Sequence, residues 1–295
     1  MQAAPLPDRG IVKIAGDDAH KLLNGLLTVD VEKIVPGRPR FTALLTPQGK
    51  ILFDGILVAV PEADGGGFLF DCPRALAGTA VERLTFYKLR AKARIENLSD
   101  ALQVVAVWGG PSPSPVEGLV YPDPRLADLG FRIVVAAAHD VATELGAKLV
   151  DAAQYERHRI ALGIPRGGMD FAYGDTFPHE ADMEQLNGVD FDKGCYIGQE
   201  IVSRMEHRGT ARTRIVSVSC EKGAPEPGAS IMAGDRVVGT MGSAADGRGI
   251  ALVRLDRAES AGNAGATLTA GGLPITIAKP QWARFSVPGH TMAAE

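Results

Sequence analysis

The apolar residues of this chain follow a helical repeat first and a strand-like repeat afterwards. Residues 19–27 (AHKLLNGLL) place leucines three or four positions apart behind Asp18, which predicts a first helix. Three apolar runs then follow at 41–45, 50–60 and 68–72, separated by a Thr-Pro-Gln-Gly turn and by three consecutive glycines. This spacing predicts an antiparallel meander.

The pattern then alternates between helices and strands. Pro73 predicts the start of a second helix that runs to about Tyr87, and two strands are expected near 93–98 and 102–109. Residues 109–125 carry five prolines and three glycines, so they predict a loop or a joint between subdomains. This mixed order predicts an α+β architecture rather than a doubly wound sheet.

Between this loop and residue 212, the pattern predicts one strand and two helices. The strand is expected at 130–137, and Asp140 and Asp151 are placed to cap the two helices. Residues 213–286 contain six short alternating runs split by glycine, proline and aspartate, and no convincing helical repeat. Such closely spaced short strands predict a small C-terminal β-barrel or sandwich.

Composition narrows the class of protein. The chain has 295 residues, a net charge of −4 and no apolar run long enough to span a membrane, which predicts two or three compact units and no membrane partner. No secretory signal is visible, so cytoplasmic residence is expected. The acidic balance argues against a nucleic-acid binder, and the basic residues at 83–94 are expected to form a solvated helix end running into an edge strand.

The stretch 190–200 (DFDKGCYIGQE) is the strongest candidate for chemistry. Cys195 follows Lys193 and Gly194, and a thiol beside a positive charge and exposed backbone N–H groups has a lowered pKa and higher reactivity. The alternative is a small buried residue at a helix start. No histidine has a recognised spacing to Cys195 as a general base, and His179 and His207 are the best candidates. The three cysteines show no metal-ligand spacing, and neither Cys195 nor His207, twelve residues apart, has a companion at i+2 to i+4, so no metal site is expected.

Residues just after Cys195 predict a polar surface. Side chains at Tyr196, Gln199 and Glu200 share one helix face, which could line a cavity. An amide that both donates and accepts, beside a carboxylate, suits a heteroaromatic ring with an amide edge.

The motif KGCYIGQE at 193–200 resembles that of the YgfZ-type folate-binding proteins. These are relatives of the T-protein (aminomethyltransferase) of the glycine cleavage system, and they include mitochondrial iron–sulfur assembly factors. The resemblance covers most of the chain, and its further segments are FPHEADMEQLNGVDF (177–191), HRGTARTR (207–214), IAGDDAHKLLNGLLTVDV (14–31), TPQGKILFDGIL (46–57) and VGTMGSAADGRGIALVRL (238–255).

The resemblance implies a T-protein-like fold of three domains around a central cavity. Residues 1–205 are then a folate-binding body of two interleaved α+β subdomains, about 1–40 plus 112–205 and 41–111, followed by a C-terminal barrel at 206–295. The expected ligand is tetrahydrofolate or a one-carbon derivative. The expected partners are iron–sulfur client or carrier proteins, including enzymes that modify tRNA, with no direct contact to nucleic acid.

The resemblance also implies where a folate binds. Tyr155 matches a position for an aromatic stacking partner of the pterin, and Arg9 stands where relatives carry another aromatic residue, which puts that second contact in doubt. Glu180 is assigned to the N–H edge of the pterin, with a capping role as the alternative. Arg204 lies just after the motif, as do Arg208, Arg212 and Arg214, and these arginines are placed to meet the folate carboxylates or a partner, with surface solvation as the alternative for most of them.

These expectations support a folate-dependent accessory factor for iron–sulfur proteins in which Cys195, assisted by Lys193, is functional. Two alternatives stay open: an aminomethyltransferase, and a folate-binding module without chemistry. The aminomethyltransferases carry an adjacent pair of aspartates where this chain has Phe53 and Asp54, and positioned acids of this kind contribute about 10²- to 10⁴-fold to a rate. The missing acid and the complete cysteine motif favour the accessory factor.

Overall fold

The computed structural model describes residues 1–113, 116–209, 211–221 and 223–288. The chain divides into two compact units, the first formed by Met1–Tyr155 with Leu186–Ile201 and the second by Glu156–Gln185 with Val202–Glu295. Within the described ranges, no helix has the length and apolar character needed to cross a membrane.

The first unit contains two five-stranded sheets. Its strands are β1 (Gln2–Pro5), β2 (Arg9–Ala15), β3 (Arg40–Leu45), β4 (Ile51–Ala59), β5 (Phe68–Pro73), β6 (Arg94–Asn97), β7 (Leu102–Trp108), β8 (Leu119–Pro122), β9 (Phe131–Ala136) and β10 (Lys148–Leu149). The second unit contains β11 (Thr213–Ser219), β12 (Ser230–Ala233), β13 (Arg236–Ala245), β14 (Arg248–Arg254), β15 (Leu268–Ala270), β16 (Leu273–Pro274) and β17 (Thr276–Ala278). The helices in the described ranges are α1 (Ala19–Leu26), α2 (Ala77–Lys88), α3 (Val141–Leu145), α4 (Ala152–Ala161), α5 (Gln199–Arg208) and α6 (Leu255–Asn263).

The two sheets of the first unit have different neighbours. One runs β3-β4-β5-β2-β6, all antiparallel, and its apolar face packs against α1 and α2. The other runs β10-β1-β7-β9-β8 and packs against α3, with β1 and β10 as its parallel pair. Each sheet buries one apolar face against helices, as expected for α+β layers.

The second unit is built around a seven-stranded sheet in the order β16-β15-β12-β13-β14-β11-β17. Its two edge strands are separated by a single residue, so the sheet is a nearly closed barrel. Valine, isoleucine and alanine side chains from alternate positions fill its interior. The predicted α+β class and the C-terminal β-barrel are therefore confirmed.

Several local predictions need correction. The helix α6 is missing from the sequence prediction, because the side chains that it packs on the barrel core, Leu255, Ala258 and Ala261, are mostly small and give a weak apolar repeat. The segment 109–125 is not all loop, since it contains β8; residues 114–115 within it lie outside the described ranges. Pro73 ends β5 instead of opening a helix, and a 3₁₀ turn over Arg74–Leu76 separates it from α2.

The strand pairing also bears on the predicted subdomains. Arg9–Ala15 pairs with Phe68–Pro73, although the sequence analysis assigns these strands to different subdomains. The remaining division into three domains stays a prediction.

Candidate functional site

Cys195 lies exposed on a turn that precedes α5. We call residues 193–198 the Cys195 turn. The predicted helix face includes Tyr196, but the helix begins only at Gln199, because Gly198 has a φ of 82° and helical residues need a negative φ. The thiol is therefore displayed on a loop in the first unit and is not buried as a small core residue.

Gly198 holds the Cys195 turn against the β3–β4 hairpin. A Cβ atom at position 198 would lie 2.6 Å from the carbonyl oxygen of Thr46 and 3.0 Å from the Cα of Gly49, so only glycine fits there. The hairpin turn is itself closed, since the N–H groups of Thr46 and Gly49 donate at 2.8 Å to the carbonyls of Lys50 and Thr46. The Cys195 turn thus rests on ordered backbone.

Lys193 anchors the other end of the Cys195 turn. Its ammonium group donates to the carbonyl oxygens of Asn24 (2.7 Å), Leu27 (2.6 Å) and Val29 (2.8 Å), at and after the C-terminal end of α1. A lysine has three N–H donors, and all three are used here. Burial lowers the pKa of Lys193 to about 8, and three carbonyl acceptors favour its charged form. The structure thus uses all three donors of Lys193 to hold the start of the Cys195 turn on the end of α1.

Two of the three side chains of the predicted polar face, those of Tyr196 and Gln199, make contacts within the Cys195 turn and the start of α5. The backbone N–H of Tyr196 donates to Oε1 of Gln199 at 3.3 Å, and the Gln199 N–H donates to the carbonyl of Tyr196 at the same distance. The buried ring of Tyr196 lies 5.1 Å from the ammonium nitrogen of Lys193, in a cation–π contact. Glu200 is exposed in the first turn of α5.

Arg9 belongs to a buried ion-pair network that joins the two sheets of the first unit. Asp71 accepts from Arg9 Nε at 2.6 Å, from Arg132 at 2.5 Å and from the hydroxyl of Tyr121 at 3.1 Å. Asp123 in turn accepts from Arg132 at 3.0 Å. Burial alone raises the pKa of Asp71, but the charges of Arg9 and Arg132 outweigh it and hold that pKa below its ordinary value.

Tyr155 lies beside this network. Its side chain is 3% exposed, its ring meets Trp108 edge-on at 5.3 Å between centroids, and it interacts with Arg132. The ring of Tyr155 thus has no open face, and a pterin could stack on it only if Trp108 and Arg132 moved. The surroundings of Arg9 and Tyr155 therefore poorly fit the predicted role of these two residues in stacking on a pterin.

Two cavities of the first unit bear on the same question. Arg9 lines one of about 280 Å³ together with Arg74 and Gln103, below the volume usual for ligand pockets. The other, of about 510 Å³, is lined by His20, Phe68 and neighbouring residues, and it contains none of the predicted folate residues. Neither cavity identifies a folate site.

Glu180 and Arg204 lie in the second unit. Oε2 of Glu180 accepts from the backbone N–H of Phe177 at 2.9 Å, which is the capping alternative considered for this residue. Arg204 is exposed on α5. Of the predicted site residues, the structure thus brings Lys193, Cys195, Tyr196 and Gln199 together in the Cys195 turn and the start of α5. It places Arg9 in the buried ion-pair network and Tyr155 beside it.

The second unit contains a charged cluster around Arg214 that the sequence pattern does not predict. Arg214 donates to Asp182 Oδ1 at 3.1 Å, to Glu184, and to the carbonyl of His179 at 2.7 Å. Asp182 is fully buried, and burial raises its pKa well above the ordinary value, an effect that Arg214 opposes. The available signal was Arg214 itself, a charged residue at the start of the apolar run RIVSV, just as Asp71 interrupts FLFDC.

Comparison with known proteins adds the family context. Residues 9–137 match the model of the GCVT N-terminal domain, and residues 212–285 match the CAF17 C-terminal beta-barrel domain. The fold is similar to the crystal structure of glycine cleavage system aminomethyltransferase T from Bartonella henselae, with a TM-score of 0.77 at 16% identity over 96% of this chain and 86% of that one. The predicted T-protein-like fold is therefore confirmed.

Three relatives are iron–sulfur cluster assembly factors named IBA57 or IBA57 homolog. This chain is 34% identical to the Mus musculus protein over 76% of its own length and 68% of the relative. It is 30% identical to the Homo sapiens protein over 84% and 76%, and 34% identical to the Mycosarcoma maydis protein over 77% and 59%. The chain thus spans about three fifths of the fungal relative.

Fold and sequence together define a protein with a GcvT-like body and a CAF17-type barrel. The chain belongs to the IBA57 family of iron–sulfur cluster assembly factors. The expectation of cytoplasmic residence is wrong on this comparison, because the three relatives are mitochondrial proteins.

Proposed function

We propose that this chain is a tetrahydrofolate-binding accessory factor, of YgfZ type, for the assembly or repair of iron–sulfur proteins. The observation that carries the proposal is the exposed thiol of Cys195 on a turn fixed at both ends, by Lys193 and by Gly198. The names of the relatives, which are iron–sulfur cluster assembly factors, support the same function.

The chemistry follows from the position of the sulfur. A thiolate is both a nucleophile and a ligand for iron, and an anchored turn presents it without a loss of loop entropy on docking. The described residues hold no group of three or more histidine, cysteine or acidic side chains suited to a metal ion. We therefore propose that Cys195 acts on a cluster, persulfide or oxidised thiol that a partner protein brings, and that Lys193 positions it.

Replacement of Cys195 by alanine tests the thiol. We expect Cys195→Ala to reduce the activity of [4Fe–4S] enzymes in cells that lack the native gene while its thermal midpoint stays within about 2 °C, because an exposed side chain contributes little to stability. Cys220→Ala is the matched control, since that thiol is buried in the barrel. Full enzyme activity with Cys195→Ala would defeat the thiol proposal.

The folate part of the proposal is supported by the likeness to an aminomethyltransferase fold and by the sequence resemblance. It is not supported by Arg9 or Tyr155, which are held in the buried network. Calorimetric titration of tetrahydrofolate and folinic acid into the wild type, Glu180→Gln and Tyr155→Phe tests it. We expect micromolar binding by the wild type and weaker binding by Glu180→Gln; heat changes equal to dilution would remove folate from the proposal.

The fold likeness also keeps the aminomethyltransferase as the second candidate. Asp54 is buried in β4, where the aminomethyltransferases carry an acidic pair. Turnover of aminomethyl-lipoyl carrier protein in the presence of tetrahydrofolate would favour this reading. Folate binding together with a silent Cys195→Ala variant would favour a binding module without chemistry.

A further inference from the structure

Helix α2 ends in an exposed tip that carries both apolar and basic side chains. We call residues 83–94 (RLTFYKLRAKAR) the α2 tip. The side chain of Phe86 is 70% exposed and that of Leu89 is 85% exposed, the two highest values among the large apolar residues of the described chain. Large apolar groups this exposed and this close together are typical of an interaction surface.

The backbone at Leu89 shows that this side chain does not serve the fold. Leu89 follows the last residue of α2 with φ 47° and ψ −108°, a conformation that glycine adopts readily and that other residues adopt under strain. A leucine there bears that strain and buries almost none of its side chain in return. Glycine would serve the fold better, so the leucine is best explained by a contact outside this chain.

Positive charge surrounds the two apolar side chains. The α2 tip contains the cations Arg83, Lys88, Arg90, Lys92 and Arg94 in a chain whose net charge is −4. Arg94 pairs with Glu96 at 2.6 Å, and Lys92 lies 3.9 Å from Asp17. Within the part of the chain that the structure describes, Arg83, Lys88 and Arg90 form no ion pair. The tip is therefore complementary to a negatively charged surface.

We propose that the α2 tip docks onto the surface of an anionic lipid bilayer. Apolar side chains that enter the interface, flanked by lysine and arginine that meet anionic headgroups, are the pattern of peripheral membrane binding. A second copy of the chain is a poor occupant, because a symmetric contact through this tip would bring like charges together. The α2 tip consists of a helix end and a turn. A soft layer of lipid headgroups can accommodate such a feature, so binding to it requires no complementary groove on the partner.

Sedimentation with lipid vesicles tests the proposal, and it does so independently of folate or iron–sulfur chemistry. We expect the full chain to bind vesicles of phosphatidylcholine with about one third phosphatidylglycerol at about 0.05 M NaCl, and to be released at about 0.5 M, where charge is screened. Vesicles of pure phosphatidylcholine should bind at least about tenfold more weakly.

Variants separate the contribution of each side chain. Leu89→Gly should weaken binding by about tenfold while raising the thermal midpoint, since it removes the strain together with the side chain. Arg83→Gln and Arg90→Gln should each weaken binding about fivefold. The matched controls are Val237→Ala and Arg236→Gln, which alter an exposed apolar residue and an exposed cation of the barrel and should leave vesicle binding unchanged.

Three results would overturn the proposal. They are no binding of the wild type to anionic vesicles, equal binding to pure phosphatidylcholine, and unchanged binding by Leu89→Gly. Binding of poly-L-glutamate to the α2 tip without any binding to vesicles would show instead that the tip meets an acidic protein, and this too contradicts a lipid partner.

Discussion

The Cys195 turn and the Arg9–Asp71–Arg132 network use charge in opposite ways. In the turn, one lysine binds three backbone carbonyls, and the cysteine side chain beside it is left exposed. In the network, arginines and aspartates neutralise one another between two sheets and expose little. The difference teaches that a charged residue beside a candidate nucleophile can be taken up by the backbone, while the candidate side chain itself is left uncovered.

The network should be the more sensitive of the two regions. Asp71→Ala leaves Arg9 and Arg132 buried without their common partner, so we expect a loss of about 3–5 kcal/mol in the free energy of unfolding. Asp100→Ala is the control, because Asp100 pairs with Arg74 at the surface and should cost under about 1 kcal/mol. Urea titration measures both, and equal losses would contradict a structural role for the network.

The anchor of the Cys195 turn should come next. Lys193→Met removes three hydrogen bonds and leaves carbonyl oxygens near the end of α1 without these donors, so we expect a loss of about 2–4 kcal/mol. Cys195→Ala should change the same quantity by less than about 0.5 kcal/mol. If Lys193→Met were as stable as the wild type but inactive in cells, the lysine would have a chemical role. The contrast between the Cys195 turn and the Arg9–Asp71–Arg132 network would then not hold.

The smallest change in stability is expected at the cluster of Arg214, Asp182 and Glu184 in the second unit. Because the folded pKa of Asp182 lies above its unfolded value, the folded chain holds more protons, and this group's contribution to stability is full below about pH 4 and declines as pH rises. Asp182→Asn removes the charge and tolerates the φ of 55° at this position. We expect this variant to be more stable than the wild type at pH 7 and to show a weaker decline of stability between pH 4 and 7 in urea titrations. A loss of stability at pH 7 would show that the ion pair with Arg214 outweighs the cost of burial.

The sequence predicted elements best where apolar spacing is regular. Helix α1 and the barrel strands follow from that spacing, because each buries apolar residues at regular intervals, and β3 to β5 follow from apolar runs that are buried along nearly their whole length. Helix α6 and strand β8 bury few side chains, so their positions could not be found this way. The functional motif around Cys195 stays a prediction from the sequence resemblance. The hydrogen bonds of Lys193 go to carbonyls more than 160 residues away along the chain, which the sequence alone does not reveal.

The same limit applies to Arg9 and Tyr155. Their partners come from strands that lie far apart in the sequence, and a single sequence contains no record of which strands meet. Charged residues within apolar strands, such as Asp71 and Arg132, were the available sign that a network existed.

The position of β1 has a consequence for how the chain acquires its structure. Gln2 to Pro5 lie between β7 and β10, so their partners are Val105 to Trp108 on one side and Lys148 to Leu149 on the other. On a ribosome, the meander can close as soon as it emerges, whereas this strand waits for more than a hundred further residues. Contacts between such distant segments form slowly, so the sheet that contains β1 is completed only after β7 and β10 have been synthesised.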